Sequence, residues 1–90
     1  MPRREKWGIL ASILRALLEE EPRGAQGRIT TVAARANLPH DRLLLLLDDL
    51  ASAGLIERQS EQLPRVTSKG ANFIREYDSW IDTLERFGLE

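Results

Sequence analysis

Ninety residues limit the chain to one small domain, whose modest core gains from a supplement such as self-association. The lack of cysteine excludes a disulfide framework and a thiolate metal site and gives secretion no support, so a cytoplasmic location is expected. Thirteen cations against fourteen acids, a net charge of −1, exclude any bulk attraction to phosphate, and no apolar run approaches the roughly 18 to 20 residues needed to cross a bilayer.

The first helix is predicted from about Arg3 to Glu21, where Pro22 and the run "RGAQG" end it. Trp7, Leu10, Leu14, Leu17 and Leu18 recur at helical spacing and make its main apolar face. Ile9 and Ile13 widen that face until it covers about half the circumference, more than one small core needs. The surplus edge, Ile9 and Ile13, is expected to meet either the last helix or a partner subunit.

A short second helix follows in "ITTVAARANLP", with Thr30 as the expected N-cap and Val32, Ala33 and Ala36 as small residues suited to close approach. Asn37, Leu38 and Pro39 make a turn. A third helix starts at Pro39 or at His40 and Asp41 and runs to Ala53, where Gly54 supplies a left-handed stop. Two helices joined by a tight turn read as a helix-turn-helix.

The third helix contains five consecutive leucines, Leu43 to Leu47, which no single helical face can bury. With Leu43 as reference, Leu46, Leu47 and Leu50 fall within about 60° of it and form the inward face. Leu44 lies on the flank at about 100°, and Leu45, at about 200°, points outward among Asp41, Asp48, Asp49 and Ser52. Leucine ringed by acid therefore occupies the outer side of this helix.

Beyond Gly54 the period changes. "LIERQ" and "PRVTS", separated by polar "SEQ", predict a short two-stranded hairpin, a small wing. Thr67 or Ser68 caps a last helix within residues 67–88, from about Lys69 to Phe87, ending near Gly88. Phe73, Tyr77, Trp80, Leu84 and Phe87 follow alternating spacings of four and three, the rhythm of a coiled-coil seam. Ile74 and Ile81 widen that stripe, while Arg75, Asp78, Asp82 and Arg86 lie opposite. The seam predicts a homodimer; the alternative is a helix folded back onto its own first helix.

The expected architecture is mainly α, in the α+β class, as a single domain over residues 1–90: three helices, a two-stranded wing and a long carboxy-terminal dimerisation helix. The runs "RANLP" at 35–39, "AGLIE" at 53–57 and "VTSKGANFIREY" at 66–77 resemble a family of small archaeal winged helix-turn-helix proteins. Its members are described as predicted transcriptional regulators and include chromatin-associated dimers with a carboxy-terminal coiled coil. The likeness runs from about Ile9 to Tyr77, and its most specific part is Thr67, Lys69, Gly70 and Phe73 as "TxKGxxF". It implies binding to duplex DNA, with the third helix in the major groove and the hairpin on the backbone.

On that reading the phosphate-positioning groups are Arg28 and Thr31 at the start of the second helix, His40 and Arg42 at the start of the third, and Arg58 and Arg65 on the hairpin. The dimer surface comprises Ile9, Ile13, Phe73, Tyr77, Trp80, Ile81, Leu84 and Phe87. Charge is distributed in favour of the amino-terminal part: eight Arg or Lys against five acids in residues 1–42, five against nine in 43–90. Where family members carry polar or basic residues, however, this third helix carries Leu44 and Leu45, which opens the alternative of a module that binds a protein partner there. Arg35 is expected to tie helices together. No glycine loop for phosphates, no nucleophile beside a base and no metal-ligand cluster is present, so neither catalysis nor a cofactor is expected, and His40 alone makes no metal site.

Overall fold

The computed structural model describes residues 5–89. Helix α1 spans Lys6–Glu20, and the portion of the predicted first helix around Arg3 lies outside the described residues. Pro22 has no N–H to continue the helical ladder, so the chain tightens into a 3-10 segment, Glu21–Gln26, interrupted at Gly24 with φ 56°. Helix α2, Ile29–Ala36, is entered from Arg28 rather than from Thr30, with no side-chain cap. Asn37 closes it in the left-handed region at φ 58°, and the Leu38 N–H donates to the Ala33 carbonyl at 2.9 Å.

Helix α3, His40–Ser52, starts from Pro39 in an extended conformation, where the absent N–H costs nothing. Gly54, at φ 80°, turns the chain out of α3, and the Leu55 N–H returns to the Leu50 carbonyl at 2.9 Å. Strands β1, Ile56–Gln59, and β2, Gln62–Val66, pair antiparallel with Ile56 opposite Val66 and Glu57 opposite Arg65. The register slips between Glu57 and Gln59, a bulge that bends the tip of the wing.

Helix α4, Ser68–Arg86, is locked to the end of α3 by the residues of the "TxKGxxF" run. Thr67 accepts from the Gly70 N–H at 3.1 Å through its Oγ1 and donates from the same oxygen to the Gly54 carbonyl at 2.7 Å. Lys69 Nζ donates to the Ala53 carbonyl at 2.7 Å, satisfying an end of α3. Gly70 is buried where a Cβ would strike the Leu55 carbonyl oxygen and lie 2.8 Å from Val66 Cγ1. The motif is a joint between helices, and glycine is there because the backbones touch.

The core gathers Leu10, Leu14 and Leu17 of α1, Val32 of α2, Leu43, Leu46, Leu47 and Leu50 of α3, Leu55 and Ile56, and Ile74 of α4. Each buried leucine contributes about 1.5–3 kcal/mol relative to exposure. The four inward leucines of α3 are those the helical wheel selects. For α1 the apolar face is rotated from the expected one: Ile9 and Ile13 are fully inside, whereas Trp7 and Leu18 are exposed. α1 runs through the middle of the domain, with α2, α4, β2 and the 3-10 segment all packed on it, so a stripe half the circumference wide is used within one chain.

Candidate nucleic-acid interface

The amino-terminal turns of α2 and α3 bring exposed cations into the open. Arg28 stands at the N-cap of α2, with Thr31 half-buried one turn on; His40 and Arg42 occupy the first turn of α3. Among the described residues no carboxylate pairs with Arg28, His40 or Arg42. Unsatisfied backbone N–H groups and the positive ends of the helix dipoles add to the charge of the two arginines, a setting that favours phosphate.

The wing cations are arranged differently. Arg58 on β1 forms an ion pair with Asp48 of α3, and Arg65 on β2 pairs across the hairpin with Glu57 at 2.9 Å. Both pairs are exposed and contribute little to stability, but each holds an arginine against an acid instead of leaving it open. The outer side of α3 is as the sequence implies: Leu45 is 68% exposed, Leu44 is 42% exposed, and Asp41, Asp48 and Asp49 are on the surface around them. Lys6 of α1 reaches Asp49 at 3.8 Å. A duplex lying along this face would meet three carboxylates, two of them already held by Arg58 and Lys6, beside Arg42, so the uncompensated arginines cluster at the ends of the helices and not along this outer side.

Arg35 ties helices together as expected, and its partner is a residue the sequence reading overlooked. Glu20 is only 1% exposed; its Oε2 accepts from Arg35 Nε at 3.1 Å, and Arg35 Nη1 also donates to Glu19 at 2.9 Å. Among the described residues the other oxygen of Glu20 has no hydrogen-bond donor, and Arg23 lies 3.8 Å from it. The available signal was its position: Glu20 lies seven residues beyond Ile13, two helical turns along the core face of α1.

The predicted dimer surface divides. Ile9 and Ile13, assigned to it from the sequence, are a correction: both are enclosed by the chain's own core and present nothing to a partner. Phe73 is half-buried and packs on the core, and Tyr77 donates from its hydroxyl to Glu5 at 2.8 Å, so the first half of α4 does fold back on α1. Asp78, expected on the opposite side, instead pairs with Arg15 of α1. Past this point α4 leaves the core. Trp80 is 58% and Phe87 73% exposed, Leu89 is open beyond them, and Ile81 and Leu84 are half-buried without belonging to the hydrophobics packed on the core.

Among the described residues four α-helices, with a helix-turn-helix in α2 and α3, and a two-stranded wing define a winged helix. The sequence pattern of the winged helix-turn-helix family matches residues 3–85, and the chain belongs to that family. Winged helix-turn-helix domains are typically DNA-binding, so membership suggests DNA binding. No curated protein matches the sequence. Among the described residues no helix is long and apolar enough to cross a membrane.

Proposed function

We propose that the chain binds duplex DNA as a homodimer and acts as a transcriptional regulator or chromatin-associated factor in the cytoplasm. The carrying observation is the pair of uncompensated arginines at the helix amino termini, Arg28 and Arg42, with His40 exposed beside them, on a family fold suited to DNA. Thr31 adds a backbone contact, and the wing residues Arg58 and Arg65 add theirs once their present partners, Asp48 and Glu57, are exchanged for phosphate. These contacts give affinity and orientation, not sequence choice. Pairing through Trp80, Ile81, Leu84 and Phe87, with Phe73 and Tyr77 at its inner edge, would present two heads to one duplex. An exposed aromatic row of this kind is a common interface signature.

Titration of duplex DNA at two salt concentrations tests the reading. The unpaired arginines alone, Arg28 and Arg42 from two protomers, neutralise about four phosphates, so affinity is expected to fall at least roughly 150-fold between about 50 and 200 mM salt. No binding at the lower salt, or affinity indifferent to salt, sinks it. A second reading, a protein-binding module on α3, is favoured by the exposure of Leu45 within a ring of acids. Leu45→Lys separates the two: DNA affinity is kept or raised, whereas a protein-binding surface is destroyed.

A further inference from the structure

We propose that the outer face of α3 docks a cationic amphipathic helix from a protein partner. The inference rests on the second reading, of α3 as a protein-binding surface, and names the chemistry of what binds there. Leu45 and Leu44 are adjacent and exposed, and no element of the described chain covers them. Asp41 precedes Leu45 by one helical turn, Asp49 follows it by one turn, and Asp48 follows Leu44 by one turn, so each leucine is flanked along the axis by carboxylate.

The fold itself shows what this ring attracts. Asp48 has drawn in Arg58 from the wing, and Asp49 has drawn in Lys6 from α1. Both cations are more than half exposed, and pairs of that kind exchange readily with other cations. Asp41 has no cation against it among the described residues. A partner helix with an apolar stripe bordered by lysine or arginine satisfies all of these at once: its stripe covers the two leucines, one cation reaches Asp41, and others replace Lys6 and Arg58. An acidic or uncharged helix would cover the leucines but leave Asp41 unmatched. Duplex DNA offers no apolar stripe beyond thymine methyl groups and brings negative charge to negative charge.

The test measures fluorescence anisotropy of three labelled peptides against the full chain: a Leu/Lys helix with leucine at i, i+3, i+4 and i+7, a Leu/Glu helix with the same leucines, and a scrambled Leu/Lys peptide. The Leu/Lys helix is expected to bind in a salt-sensitive manner and the scrambled peptide to bind far more weakly. Leu45→Lys should weaken the Leu/Lys helix by at least about tenfold, roughly 1.4 kcal/mol. Asp41→Asn should weaken it several-fold with α3 unaltered, and Trp80→Ala should leave it unchanged, which separates this face from the ridge of α4. Tighter or equal binding of the Leu/Glu helix at Leu45 overturns the cationic partner while preserving the protein-binding reading. Insensitivity of all three peptides to both Leu45→Lys and Asp41→Asn overturns the two together.

Discussion

Leu45 and Gly70 show how differently single residues in this chain respond to change. Leu45 is on the surface, so Leu45→Lys should move unfolding stability by no more than about 0.5 kcal/mol. Gly70 has the Leu55 carbonyl directly above it, and even one methyl group must displace backbone. Gly70→Ala is expected to cost about 1–3 kcal/mol or more in urea denaturation; a neutral result would mean that α4 is not seated against Leu55 and Val66 as described. Glu20 and Arg35 are coupled by burial. Arg35→Met leaves a carboxylate inside without its principal cation, a loss of roughly 3 kcal/mol, whereas Arg35→Met combined with Glu20→Leu should recover much of it. A double variant no more stable than the single one would show that the pair does more than neutralise itself.

At the scale of elements, α3 is where a family fold and a particular sequence disagree. The helix is held as a reading helix is held, by the turn from α2 and by the wing beside it, yet its outer surface is acidic and apolar. Asp48 acts twice against a phosphate backbone: it carries like charge and it occupies Arg58. Asp48→Asn is therefore expected to raise affinity for duplex DNA about two- to fivefold, on the order of 0.5–1 kcal/mol, with a steeper salt dependence as Arg58 is freed. Unchanged affinity would place the duplex away from α3 and the wing. The wing itself was legible from "LIERQ" and "PRVTS", but the pairing of its two arginines was not, because ion pairs depend on which side chains the hairpin register and the neighbouring helix bring close.

For the molecule as a whole, 44 Å along one axis against 26 and 23 Å across, the carboxy-terminal half of α4 is where the exposed Trp80 and Phe87 lie. Its exposed end is the place where a small domain can bury further apolar area by meeting a second copy. Trp80→Ala is expected to weaken the dimer at least about 30-fold in sedimentation equilibrium, some 2 kcal/mol, while leaving the protomer folded, since Trp80 adds little to the core. Lone molecules in the unaltered protein at millimolar concentration would remove the dimer from the proposal. Duplex DNA and a protein helix would contend for one face of α3, and dimerisation through α4 is compatible with either.

Local sequence was enough for the helix order, the stop at Gly54, the inward leucines of α3 and the outward Leu45, and it narrowed the cap of α4 to Thr67 or Ser68, because each follows from the period of a single element or the backbone preference of a single residue. Tertiary structure alone decided that Ile9 and Ile13 belong inside, that Glu20 is buried against Arg35, that Arg58 is held by Asp48, and that the seam of α4 divides at Tyr77. Those outcomes depend on how many neighbours surround each element, and a periodic pattern reports the width of an apolar face without saying whether its own chain or another will cover it.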